Sequence, residues 1–135
     1  MARVAVVTGG TRGIGAAIST ALKEAGYKVA ASYAGNDAAA EKFRSGTGIA
    51  VYKWDVADYE ACAAGLSAVE KDLGPVDILV NNAGITRDGL IHKCTREDWQ
   101  AVIATNLDSV FNMVHPLING MRERGLGRII TISSL

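Results

Sequence analysis

Eight residues near the N-terminus, Thr8-Gly9-Gly10-Thr11-Arg12-Gly13-Ile14-Gly15, have the types and spacing with the clearest chemical use. An apolar run, Val4 to Thr8, leads into them, and a segment of helical period, Gly13 to Ala25, leads out. A chain that turns from strand to helix this quickly needs backbone angles that glycine adopts without strain. Bare backbone also lets a phosphate come close. The first helical turn then offers unpaired N–H groups and the positive end of the helix dipole. The turn therefore reads as a cradle for the pyrophosphate of a dinucleotide, with Gly9, Thr11, Arg12, Gly13, Ile14 and Gly15 as candidate contacts. A tight turn that serves packing alone is the plainer alternative.

The end of the second apolar run bears on which dinucleotide would fit. Folds that hold NAD commonly place an acidic residue about 20 positions past the glycines, where it accepts from the ribose 2′-hydroxyl. Here that stretch reads Ala30-Ala31-Ser32-Tyr33-Ala34-Gly35, without a carboxylate, and Asp37 comes only after Asn36. Arg12 lies inside the glycine turn, where a guanidinium could pair with a 2′-phosphate. NADPH is the expected cofactor.

The elements that must position these residues follow from periodicity. Val4–Thr8 reads as a strand buried on both faces, Lys28–Ser32, Ile49–Lys53 and Ile78–Val80 read as further strands, and Arg128–Ser133 reads as a fifth that leaves an exposed apolar edge. Helices are expected between them. The first carries Ile14, Ile18, Ala21 and Leu22 on one stripe and ends at Gly26. A weaker one spans Asn36 to Phe43. Asp58 caps a third, which buries Tyr59, Cys62, Leu66, Val69 and Leu73 and ends at Gly74-Pro75. Thr95-Arg96-Glu97-Asp98 resembles a capping box that opens a helix through Trp99 and Val102. In the long helix that follows, Leu107, Val110, Phe111, Val114 and Ile118 are expected to point inward, with a kink at Pro116. Strands joined by helix-length connections require a parallel sheet with right-handed crossovers. The expected fold is α/β, a Rossmann-type doubly wound parallel sheet carried by residues 1–135 and truncated after strand five.

The glycine spacing is T-G-x-x-x-G-x-G, from Gly9, Gly13 and Gly15, and this resembles the short-chain dehydrogenase/reductase family. Four more segments match it in order. Asp55-Val56 follows strand three, where the family places an adenine contact. Asn81-Asn82-Ala83-Gly84 follows strand four, with Ile85 next. Thr105-Asn106-Leu107 opens the long helix, and Arg128 to Ser134 matches the strand that delivers a catalytic serine. The resemblance implies cofactor contacts at Asp55, Val56, Asn82, Ala83, Gly84 and Ile85. It also implies that Ser134 holds the substrate carbonyl, in preference to the adjacent Ser133, and that Asn106 orders a water relay. On residues alone, a serine ending a strand could equally be a cap.

Within the family, Val51 to Asp58, Asn82 to Asp88 and Gly120 to Arg124 are most like bacterial reductases of the polyhydroxyalkanoate pathway. That implies NADPH-dependent reduction of a 3-oxoacyl-CoA thioester, acetoacetyl-CoA first, to the 3-hydroxyacyl product. Asp88 would lie beside the acyl-CoA, although a solvated loop carboxylate is an equal reading. NNAGITRD also fits reductases of 3-oxoacyl-carrier-protein thioesters, the alternative substrate class. A non-catalytic dinucleotide-binding module is a third reading. The family's proton donor and its partner come as Y-x-x-x-K after the serine. Tyr27, Tyr33, Tyr52 and Tyr59 all lie earlier, and none has a lysine four residues on. The reading therefore expects a part of a longer enzyme, inactive and aggregation-prone alone, and a homotetramer when whole.

Composition excludes other classes. Fourteen basic side chains balance fourteen acidic ones, so there is no electrostatic footprint for nucleic acid or an anionic membrane. Half the residues are hydrophobic (49%), enough for a packed core rather than a disordered chain. Cys62 and Cys94 stand outside any metal-ligand spacing and are expected as free thiols; no metal site is expected. The first residues enter a strand directly, without the pattern of a leader or a membrane span, and the default compartment is the cytoplasm.

Overall fold

A computed structural model of the chain describes residues 2–133. Five strands, β1 (Val4–Thr8), β2 (Lys28–Tyr33), β3 (Ala50–Lys53), β4 (Val76–Asn81) and β5 (Arg128–Thr131), form one sheet in the order β3-β2-β1-β4-β5. Every pairing is parallel. The order reverses between β1 and β4, so the carboxyl ends of these two strands open a crevice at a topological switch point.

Both faces of the sheet are covered, which is why β1 is buried at every position. One core layer joins Val4, Val6, Ala30 and Leu79 to Leu66 and Val69 of α3 (Tyr59–Leu73) and to Met113, Leu117 and Met121 of α5 (Ser109–Arg124). The other joins Ala5, Val7, Val29, Ile78 and Val80 to Ile18 and Leu22 of α1 (Gly13–Glu24) and to Phe43 of α2 (Asp37–Thr47). The doubly wound sheet expected from the run-and-helix alternation is the one observed.

Local chemistry sets the helix ends. Asn36, Asp58 and Thr95 cap α2, α3 and α4 (Arg96–Ile103) by accepting from the N–H groups of Ala39, Ala61 and Asp98. Gly48 and Gly125 close α2 and α5 in left-handed conformation. α2 runs four residues past its expected end at Phe43.

Two expectations fail. Ile14, 67% exposed, and Ala21, also exposed, lie off the buried side of α1, whose fully buried positions are Gly15 and Ser19. The larger failure is α5. Its buried side chains are Ser109, Asn112, Met113, Leu117 and Met121, whereas Leu107 and Phe111 are about 60% exposed. A π-helical turn at Ala104–Asp108 precedes α5 and adds a residue to that turn, rotating the register that follows. α5 itself runs through Pro116 without a break. β5 is an edge strand with Ile129 and Ile130 at 40% and 48% exposure, an open apolar edge as anticipated. Among the described residues, no helix is long and apolar enough to cross a membrane, and no cluster of candidate metal ligands occurs.

Candidate active-site cleft

Thr8, the last residue of β1, ties together the two segments that form the crevice. Its hydroxyl donates to the Val80 carbonyl at 3.4 Å and accepts from the N–H groups of Asn82 and Ala83, each at 3.0 Å. The Asn82 side-chain amide donates back to the carbonyls of Thr8 at 3.1 Å and Gly9 at 3.3 Å. The glycine turn and the segment after β4 are thus one hydrogen-bonded unit, although they lie more than seventy residues apart in the chain.

Glycine is required here for two different reasons. Gly9 and Gly13 have φ of +61° and +57°, a conformation that strains other residues. Gly15 has an ordinary φ, but a Cβ there would overlap the Gly9 carbonyl oxygen and lie 2.6 Å from Asn82 Nδ2. Gly10 was not among the sequence-derived contacts. It is buried, and a Cβ on it would come within 2.7 Å of the Val7 carbonyl and 2.9 Å of Ala31. Its carbonyl accepts from Ser19, and its N–H donates to Ser32. The doubled glycine after Thr8 was the available signal.

The unit opens on a cleft of about 560 Å³, within the range of about 300–1,000 Å³ usual for small-molecule sites. Gly9, Thr11, Arg12 and Gly13 line one wall, and Asn82 to Ile85 line the opposite one. Tyr33 to Asn36 and Trp54 to Val56 close the far end. Unlike α2, α3 and α4, α1 starts without a side-chain cap, and its first turn holds no acidic residue. Its leading N–H groups therefore stay open beside the cleft, where an anion can satisfy them. A Cβ added at Gly13 would meet no atom within 4 Å, so the space there is free.

A family model described as short chain dehydrogenase matches residues 3–135. The chain belongs to the short-chain dehydrogenase family. Acetoacetyl-CoA reductases of Shinella zoogloeoides and Rhizobium meliloti are each 67% identical to it over 135 residues. A 3-oxoacyl-[acyl-carrier-protein] reductase of Staphylococcus aureus is 39% identical over 140 residues. The chain is covered in full by these alignments and spans about 56% of the length of the acetoacetyl-CoA reductases.

Most of the residues singled out from this short-chain dehydrogenase's sequence meet at the cleft. Gly9, Thr11, Arg12, Gly13, Asp55, Val56, Asn82, Ala83, Gly84 and Ile85 all line it. Gly15 lies beneath the turn, and Ile14 faces outward. Asp88 sits exposed in the loop after Gly84, outside the cleft lining. Ser134 lies outside the described residues.

Asn106 occupies the centre of the π-helical turn, and its side chain is engaged. Its Oδ1 accepts from the Ile85 N–H at 2.8 Å, and its Nδ2 donates to the Ile85 carbonyl at 2.9 Å. A Cβ at Gly84 would stand 3.2 Å from that Oδ1. Asn106 therefore holds the loop after β4 against the start of the long helix.

The far end depends on Trp54, whose indole lies over Gly65 of α3 so closely that any side chain there would overlap the ring. A glycine inside a helix costs about 1 kcal/mol relative to alanine, and the seat of Trp54 accounts for it. Nearby, burial pushes the Cys62 thiol up to about 11. Asn112 of α5 donates to the Val56 carbonyl at 2.9 Å, while the Asp55 carboxylate accepts from the Ala57 N–H.

Proposed function

We propose that the complete protein carrying this chain reduces acetoacetyl-CoA to 3-hydroxybutanoyl-CoA with NADPH. The observation that carries this reading is the interlocked unit of glycine turn and Asn82–Ile85 segment around an uncapped helix N-terminus, in a chain 67% identical to acetoacetyl-CoA reductases. The lower 39% identity to a carrier-protein reductase ranks the acyl-carrier-protein substrate second.

The geometry fits a dinucleotide. The N–H groups at the start of α1 and the turn at Gly9 to Gly13 would hold the pyrophosphate. Asp55 and Val56 would meet the adenine, and Asn82, Ala83, Gly84 and Ile85 would line the path toward the nicotinamide. Arg12 would face the 2′-phosphate. When bound, the nicotinamide supplies the hydride. Ser134 would hold the ketone oxygen and Asn106 would keep the loop and helix in register beside it. Asp88 would lie toward the thioester. The Tyr and Lys of the family's Y-x-x-x-K pair, which complete proton delivery, are not among these residues.

We further infer a homotetramer for the complete protein, in which a second copy covers the exposed stripe of α5. Leu107, Val110, Phe111, Val114 and Ile118 border an apolar groove of about 520 Å³, and Leu107 and Phe111 on it are about 60% exposed.

The test is a comparison of acetoacetyl-CoA with the corresponding carrier-protein thioester in NADPH oxidation by the complete protein. Faster turnover of the CoA thioester is expected. Preference for the carrier-protein thioester would install the second reading. Tight NADPH binding without turnover of either thioester would leave a binding module.

A further inference from the structure

The cleft end formed by Tyr33 to Asn36 would face the ribose of a bound dinucleotide, and the next residue in the chain carries a carboxylate. Asp37 opens α2 immediately after Asn36. A free carboxylate in this part of the fold would accept from a 2′-hydroxyl and repel a 2′-phosphate. Asp37 is not free. Its Oδ1 accepts from the Tyr33 hydroxyl at 3.1 Å. Lys53 Nζ stands 3.1 Å from Oδ1 and donates to Oδ2 at 3.3 Å. Sheet register produces this meeting, because Tyr33 of β2 pairs directly with Lys53 of β3. Asn36, the neighbour that lines the cleft, spends its side-chain oxygen on the Ala39 N–H.

We propose that Lys53 is a specificity-determining residue: with Tyr33 it occupies Asp37, cancels that charge at the ribose end, and leaves Arg12 to select the 2′-phosphorylated dinucleotide. The inference rests on the NADPH reading of the cleft. The lysine and carboxylate side chains are 53% and 66% exposed, so their pairing contributes little to stability. What it sets is the local charge. Arg12 and Lys53 against Asp37 leave one net positive charge; without Lys53 the sum is zero, and Asp37 keeps only the hydrogen bond from Tyr33. The hydrogen bond from Lys53, then that from Tyr33, hold the Asp37 carboxyl below its ordinary range.

The experiment measures dissociation constants of NADPH and NADH for the complete protein and its K53M, D37N and K53M/D37N variants, at low and high salt. The wild type is expected to favour NADPH. K53M should shift the NADPH-to-NADH preference toward NADH by roughly tenfold at low salt, with a smaller shift at high salt. D37N in the K53M background should restore most of the NADPH preference. A K53M protein whose preference stays within about twofold of wild type, or that loses both ligands equally, overturns the role of Lys53 and leaves the cofactor reading standing. A wild type that favours NADH overturns the cofactor reading and this inference with it.

Discussion

The glycine turn and helix α5 both lie near the cleft, yet one is dictated by residue type and the other by its surroundings. In the turn, Gly9 and Gly13 supply positive φ, and Gly15 supplies room under the Gly9 carbonyl. Few other residues meet those demands, so the structure can be read from the letters. In α5, two stripes compete for the sheet. The more apolar one, with Leu107 and Phe111, is turned away, and the one with Ser109, Asn112 and Met113 is buried. Hydrophobicity alone ranks these stripes in the wrong order. A face that meets a second surface carries the same apolar signature as one that meets its own core.

Substitutions can break this contrast, beginning with the largest effect. In the turn, Gly15→Ala should abolish dinucleotide binding, a loss above about 100-fold by calorimetric titration, because the added methyl has no space and the backbone on both sides is fixed. Gly13→Ala meets open space and bears only the strain of its φ, about 1–2 kcal/mol in a thermal or chemical melt. If both variants bound equally well, the distinction between room and φ would be lost.

On α5, the two stripes should respond in opposite ways. Met113→Ala removes a fully buried side chain and should cost about 2–5 kcal/mol in chemical denaturation. Phe111→Asp should leave the melt of the protomer nearly unchanged but dissociate the complete protein into smaller species by sedimentation. Phe111 also stacks on His115 at 4.8 Å, and His115 shares a 2.8 Å hydrogen bond with Tyr59, so some local loosening of α3 against α5 is expected. An F111D protein that keeps its assembly would remove the second copy from that face.

Asn106→Ala probes the join between the two regions. It deletes both hydrogen bonds to the Ile85 backbone, each worth about 0.5–1.5 kcal/mol. Faster hydrogen exchange at the Ile85 amide should report it, with a fall in turnover. The smallest effect is expected at Asp58→Ala, which removes the cap of α3 for about 1 kcal/mol and leaves the cleft intact.

Much of the candidate site was legible because its parts are local. The glycine turn, Asp55-Val56 and the Asn82–Ile85 segment each follow a strand, and a parallel sheet brings strand ends to one edge whatever the intervening helices do. What was not legible depends on contacts across the chain. Gly65 gives no sign in sequence that it seats Trp54, and Asp37 gives none that Lys53 and Tyr33 hold it.

The sequence by itself determined the order of strands and helices, the caps at Asp58 and Thr95, and the glycines of the cradle, because these answer to backbone angles and hydrogen bonds within a few residues. Tertiary structure decided which face of α5 is buried, where Asn106 spends its amide, and how Thr8 joins the two walls of the cleft. Those depend on one turn of π-helix and on partners twenty to seventy-five residues away. Contacts of that separation are fixed by packing, and no local pattern of residue types encodes them.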